Sequence, residues 1–148
     1  MEDKPFIVLA KVVPTSKKCA DIGRALTYIT KQHGLIPFKN KEIKRNPKAA
    51  WFNYELHAEV RKTAVKDSEA TSWHQDGDTS TNQMNFAMVV WADRQPTEFK
   101  VGEKIYKSEP YELVIAKNLS CFHRRPNIDG ERYFFRQRVE IPKHIKLL

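Results

Sequence analysis

The chain has little cysteine and lacks long apolar runs. Its two cysteines, Cys19 and Cys121, cannot form a disulfide framework, so we expect a reducing compartment, the cytoplasm. No stretch approaches 18 consecutive apolar residues, so the sequence predicts no transmembrane helix and no membrane association. The run FIVLAKVV near the N-terminus is short and is interrupted by Lys11. It therefore predicts a buried strand rather than a signal peptide.

The length and the charge narrow the class of protein. A chain of 148 residues that is 41% hydrophobic suits one domain over residues 1–148, and it shows no repeat, linker or low-complexity tract. Lys and Arg number 26 against 18 Asp and Glu, which gives a net charge of +8. This balance favours an anionic partner such as nucleic acid, a phosphate or an acidic metabolite, although many basic proteins bind none of these specifically.

One helix is predicted near the N-terminus. Ile22, Leu26 and Ile29 recur at helical spacing, Ser16 is a candidate cap, and Gly34 is a natural stop. A second helix near residues 48–56 is a weaker expectation. Both helices would cover one side of a β domain.

The second half of the chain has the pattern of short strands separated by turns. The strand candidates are NFAMVVW, EFKVG, KIYK, YELVIA, LSCFH and RYFFRQRVEI. Turn sequences such as DRQPT and the Asp129-Gly130 pair separate them. Short strands at even spacing predict a mainly β fold, a barrel or a sandwich.

The stretch SWHQDGDTS contains His74 and Asp76, one residue apart. If it is extended, the two side chains share a face, with Cα atoms about 6.6 Å apart. An imidazole and a carboxylate at that spacing can converge on one metal ion, about 2.1 Å from each. The alternative is an ordinary polar turn, which is the commoner use of such a sequence.

A second histidine extends this constellation. His123 ends the strand LSCFH, 49 residues after His74 (123 − 74). Two histidines and one carboxylate on one side of a metal form the facial triad of non-haem Fe(II) oxygenases. The alternative for His123 is a strand-end histidine that is satisfied by a backbone carbonyl.

The last strand, RYFFRQRV, places Arg132, Arg136 and Arg138 on one face. One interpretation turns this face to solvent and the opposite, more apolar face to the core. The other turns an arginine inward beside the metal, where its two-pronged donor suits the carboxylate of a bound acid.

Together these residues resemble the 2-oxoglutarate/Fe(II)-dependent oxygenase superfamily. The resemblance covers residues 54–142: HQD at 74–76, His123, and Arg132 nine residues later. The nine-residue spacing is similar to that of the prolyl-hydroxylase-like branch. The pair Arg132-Tyr133 with Arg138 six residues on, and the sequence WHQD, resemble the oxidative nucleic-acid demethylases.

The resemblance implies a fold and a set of roles. The fold would be the double-stranded β-helix, a jelly-roll barrel of two antiparallel sheets. His74, Asp76 and His123 would bind Fe(II), and Arg132 would bind the distal carboxylate of the cosubstrate 2-oxoglutarate. Arg138 would contact Asp76 or the carboxylate nearer the metal. With O2, such a dioxygenase hydroxylates or oxidatively demethylates its substrate.

The sequence favours a nucleic acid or nucleotide substrate slightly over a protein or a small metabolite. The reasons are the net charge, the basic stretch KNKEIKR at 39–45, the resemblance of the last strand to the demethylases, and Arg124 and Arg125 after the distal histidine. We expect these two arginines near the mouth of the site, where they could contact substrate phosphates. Two rival classes stay open. A cupin-like metal-binding protein would not need the Arg132/Arg138 pair, and a non-catalytic nucleic-acid-binding protein would hold no metal.

Overall fold

The computed structural model describes residues 4–37, 51–54, 58–63, 73–74, 86–116, 122–124, 126 and 132–142. Within these residues the chain is mainly β, with two antiparallel sheets and one helix, α1 (Cys19–Gln32). The strands are β1 (Phe6–Lys11), β2 (Ile36–Pro37), β3 (Trp51–Tyr54), β4 (Ala58–Thr63), β5 (Phe86–Ala92), β6 (Glu98–Val101), β7 (Lys104–Lys107), β8 (Glu112–Ala116), β9 (Phe122–Arg124) and β10 (Arg132–Glu140).

The large sheet has the order β1-β8-β5-β10-β4-β3, and β2 adds to β10. Strands β5 and β8 lie inside it and are covered on both faces, which explains their continuous apolar runs. The two faces hold different clusters. Val89, Leu113 and Phe135, all at most 1% exposed, belong to the face under α1, whereas Met88 and Val114 belong to the opposite face.

Helix α1 covers one face of the large sheet. Its residues Ile22 and Leu26 are 2% and 0% exposed and pack into the cluster that contains Phe135. The predicted stop is confirmed: Gly34 follows the helix with φ of +80°, a conformation that glycine adopts without a Cβ clash. The apolar spacing therefore predicted both the helix and its buried face.

The predicted cap of α1 differs from the observed start. The N-cap position is Lys18, which has no side-chain cap. The Ser16 hydroxyl instead accepts a hydrogen bond from the Lys18 amide (3.1 Å) and donates one to the Asp21 carboxylate (2.7 Å). Ser16 thus orders the turn before the helix, two residues earlier than a cap would lie.

The small sheet has the order β7-β6-β9 and faces the second side of the large sheet. Phe99 of β6, 3% exposed, packs with Phe6 of β1 at a ring-centroid distance of 5.4 Å, in the cluster that also holds Met88 and Val90 of β5. The chain alternates between the sheets: β5 is in the large sheet, β6 and β7 in the small one, β8 in the large, β9 in the small and β10 in the large.

The strand predictions in the second half are confirmed for β5 to β10. The second helix near 48–56 is wrong for residues 51–54, because the aromatic stretch WFNY forms β3 and pairs with β4. The Asp129-Gly130 turn lies outside the described residues. Two sheets are present among the described residues, without a closed barrel. Within the same ranges, no helix is long and apolar enough to cross a membrane.

Candidate metal and carboxylate site

The structure brings the two predicted histidine ligands together. His74 and His123 form an antiparallel bridge, in which the His74 amide donates to the His123 carbonyl at 3.0 Å and the His123 amide donates back at 2.9 Å. Their imidazole centroids lie 4.6 Å apart in an edge-on arrangement. Residues separated by 49 positions in the chain are therefore direct cross-strand neighbours.

Both imidazoles lie on the inner face of the small sheet. His123 is directly opposite Phe99 in the β6–β9 pair, and the two ring centroids are 6.1 Å apart. Residues opposite one another on paired strands project to the same face. Phe99 is buried in the cluster between the sheets, so His123 and its partner His74 face the large sheet.

This pair fits two positions of the expected triad. Imidazole nitrogens bind a divalent ion at about 2.0–2.1 Å, and two adjacent rings on one face can reach a common ion at that distance. The third predicted ligand, Asp76, lies outside the described residues. Within the described part of the chain, no group of three or more His, Cys, Asp or Glu side chains forms a metal cluster.

Arg132 is buried at the start of β10, with 2% exposure. Its Nη1 donates to the backbone carbonyl of Gln95 at 2.5 Å, and its guanidinium carbon lies 5.1 Å from the centroid of the Phe134 ring. The interpretation that turned this arginine to solvent is therefore wrong. The hydrogen bond to a carbonyl oxygen orients the guanidinium at the start of β10.

The turn before β6 holds the start of β10 in place. The Asp93 carboxylate accepts a hydrogen bond from the Tyr133 amide at 2.9 Å, and the Asp93 amide donates to the Tyr133 carbonyl at 3.2 Å. Gln95 has φ of +49°, in the left-handed region that few residues other than glycine occupy. This conformation accompanies the hydrogen bond from Arg132 to the Gln95 carbonyl.

Arg136 and Arg138 follow Arg132 on the same face of β10. They lie directly opposite Val90 and Met88 of β5, which belong to the cluster between the sheets. The Arg138 Nε is buried and has no hydrogen-bond partner among the described residues. The inner face of β10 therefore carries three guanidinium groups, and the Arg138 Nε is a buried donor on this face.

Arg124 does not lie where the sequence placed it. Its neighbour His123 faces inward, so alternation along β9 puts Arg124 on the outer face. There its Nε donates to the Glu98 carboxylate at 2.8 Å and its guanidinium carbon lies 4.2 Å from the centroid of the Trp73 ring. Arg124 is therefore engaged with protein groups on the face opposite the histidines, and Arg125 lies outside the described residues.

The outer-face contacts of Trp73 and Glu98 were not predicted from the sequence. The strand alternation of FHR could have indicated the orientation of Arg124, but the pairing of β6 with β9 is a long-range feature. Cys121, near His123 in sequence, lies outside the described residues.

Comparisons with known protein families, curated proteins and solved structures give no match to this chain. The chain itself carries two features that bear on function: the histidine pair on the small sheet, and the arginines on the inner face of β10 in the large sheet.

Proposed function

We propose that the chain is a non-haem Fe(II)- and 2-oxoglutarate-dependent dioxygenase that hydroxylates or oxidatively demethylates its substrate. The observation that carries the proposal is the pairing of His74 with His123, with imidazole centroids 4.6 Å apart on an inner face. The two residues were selected as ligands from their sequence pattern alone. Two functionally unrelated histidines would not be expected to lie side by side on the inner face of one sheet.

The strand order supports the fold that this function implies. From β5 to β10 the chain passes repeatedly between the two antiparallel sheets. Passage between two facing sheets is typical of jelly-roll folds, in which consecutive Greek-key strands are shared between the sheets. We infer a double-stranded β-helix, with the proposed metal ligands on the small sheet and the arginines on β10.

In this proposal His74, Asp76 and His123 hold the Fe(II) ion. Such a set of three protein ligands would leave room on the ion for 2-oxoglutarate and O2. The bound iron supplies the oxidative chemistry, and the protein supplies the ligand geometry and a water-poor pocket. The inward orientation of both imidazoles supports these roles, because it turns them away from bulk solvent.

Arg132 and Arg138 bind carboxylates in this proposal. Arg132 is the anchor for the distal carboxylate of 2-oxoglutarate, since its planar fork matches a carboxylate and Gln95 already fixes part of its orientation. Arg138 contacts either Asp76 or the metal-proximal carboxylate. Its buried Nε can donate a hydrogen bond to a carboxylate oxygen between the sheets.

We propose a nucleic acid or nucleotide as the slightly favoured substrate, because the chain has a net charge of +8 and a basic stretch at 39–45. Arg124 no longer contributes to this preference, because it pairs with Glu98. A protein or small-molecule hydroxylase is the alternative. A cupin-like metal site without 2-oxoglutarate is less favoured, since it gives no reason for a buried Arg132.

Anaerobic titration with Fe(II), followed by 2-oxoglutarate, tests the proposal. We expect one Fe(II) per chain in the wild type, and loss of this binding in His74→Ala, Asp76→Ala and His123→Ala. His33→Ala is the matched control, because His33 lies at the end of α1 and should leave binding unchanged. Wild-type binding that survives both His74→Ala and Asp76→Ala would refute the metal assignment. Succinate release with a panel of substrates then tests the reaction class.

A further inference from the structure

The small sheet carries two parallel rows of residues, one on each face. The inner row is Phe99, His123 and His74, in neighbouring strands. The outer row is Glu98, Arg124 and Trp73, and each member immediately precedes or follows a member of the inner row in the chain. Each of the two histidines therefore has a sequence neighbour in the outer row, and the side chain of that neighbour projects to the opposite face of the sheet.

Contacts join the outer row from strand to strand. Arg124 donates to Glu98 across the β6–β9 pair at 2.8 Å, and its guanidinium carbon lies 4.2 Å from the centroid of the Trp73 ring. The Lys100 ammonium lies 5.5 Å from the same ring centroid. Such cation–π contacts contribute modestly at exposed sites and more where they are desolvated. The outer row therefore links residue 73 to β9 and β6 by side-chain contacts as well as by the backbone.

Among the described residues, the backbone fixes this register at few points. Strand β9 has three residues, and the described contact of residues 73–74 with it is a single bridge with two hydrogen bonds. A slip of one residue turns every side chain of a strand to the opposite face. Here such a slip would send His74 outward and Trp73 inward, and it would separate the two imidazoles.

We infer that the row Glu98–Arg124–Trp73 is a positioning device that fixes the strand register in which His74 and His123 meet. These are positioning residues that act through the histidines. The inference relies on the proposed function only for the metal that the histidines bind. The meeting of the two imidazoles is a property of the metal-free chain and can be tested without metal.

The metal test uses Co(II) as the probe, because its visible absorption reports coordination geometry, with anaerobic Fe(II) binding alongside. The variants are Trp73→Ala and Arg124→Ala. For both we expect the Co(II) dissociation constant to rise by roughly 10–100-fold, as for other residues that orient metal ligands, with an altered absorption band. Trp73→Phe keeps an aromatic ring for the cations and should bind Co(II) nearly as the wild type does.

Phe122→Ala is the matched control. Phe122 is the other sequence neighbour of His123 and projects to the same outer face as Arg124, but it is 47% exposed and lies outside the row. It should bind Co(II) as the wild type does. Arg124→Lys, which keeps the charge and loses the two-pronged donor, provides a milder variant if Arg124→Ala does not fold.

A second measurement needs no metal. In the metal-free wild type, nuclear Overhauser contacts should link the His74 and His123 ring protons, and Trp73→Ala should weaken or abolish them while the rest of the spectrum stays dispersed. Variants that lose thermal stability but retain these contacts and the wild-type Co(II) affinity would overturn the inference. A wild type that shows the ring contacts but binds neither Co(II) nor Fe(II) would refute the proposed function instead, and the ring contacts in the variants would still decide the positioning role.

Discussion

The two sheets of this molecule differ in how they are covered. Strands β5, β8 and β10 of the large sheet are packed on both faces, by α1 on one side and by the small sheet on the other. The small sheet has three strands of three or four residues, and its outer face carries exposed Phe122 (47%) and Ile105 (51%). The large sheet thus holds most of the buried apolar surface, and the small sheet covers one of its faces.

This difference in covering affects the local stability of the two sheets. Elements with many buried apolar contacts open only with the whole fold, whereas sparsely covered elements open at lower free energy. The proposed histidine ligands lie on the sparsely covered sheet, and the arginines lie on β10, an interior strand of the large sheet. The proposed site therefore combines side chains of the sparsely covered small sheet with side chains of the densely packed large sheet.

Phe135→Ala should cause the largest loss of stability. Phe135 is fully buried in β10 under α1, and removal of its ring leaves a cavity that the sheet and helix cannot close. We expect the free energy of unfolding to fall by about 3–5 kcal/mol, measured by urea denaturation. Phe122→Ala on the small sheet should change it by less than about 0.5 kcal/mol. Equal losses would contradict the contrast between the sheets.

Arg132→Lys should weaken 2-oxoglutarate binding by roughly 1–3 kcal/mol, because lysine keeps the charge but loses the two-pronged geometry. Isothermal titration calorimetry of the metal-loaded protein measures this change. Fe(II) binding should persist, since the proposed ligands are untouched. Unchanged 2-oxoglutarate affinity would mean that the buried arginine has a structural role only.

Gly34→Ala should destabilise the protein by about 1–2 kcal/mol. Gly34 follows α1 with φ of +80°, where a Cβ crowds the backbone. Thermal or urea unfolding measures the loss. The proposed metal binding should be unaffected, and a parallel loss of metal affinity would show that the helix and the proposed site are coupled.

Asp21→Asn should have the smallest effect, visible mainly as a change in pH dependence. The Ser16 hydroxyl and then the Arg24 guanidinium lower the pKa of Asp21 below its ordinary value through hydrogen bonds. A carboxylate with a lowered folded-state pKa stabilises the fold above its unfolded pKa, and this contribution disappears as pH falls through the folded pKa. Wild type and variant should therefore differ in unfolding midpoint near neutral pH and converge in acid.

Local patterns predicted most of the fold. The apolar spacing of Ile22 and Leu26 indicated α1 and its buried face, and the alternation of apolar runs indicated β5 to β10. Residues 51–54 were misjudged because their strand conformation depends on pairing with β4. Helix and strand preferences of short aromatic segments are weak compared with such tertiary pairing.

The arrangement around the two histidines was predicted less completely. The facial-triad pattern grouped His74 with His123, and the structure pairs their backbones in one bridge. The orientation of Arg124 was misjudged, because its proximity to His123 in sequence suggested proximity in space, whereas strand alternation separates them. Glu98 was missed because its contact with Arg124 is made across a sheet by residues 26 positions apart.

The bridge between His74 and His123 also constrains how the chain reaches its native state. It joins residues 49 positions apart, and the strands β5 to β8 between them are divided between the two sheets. Contacts of such long sequence separation incur a large loop-closure entropy, and folds rich in them form slowly. We therefore expect the histidine pair to assemble late in folding, so an ion held by both rings would slow unfolding more than it accelerates folding.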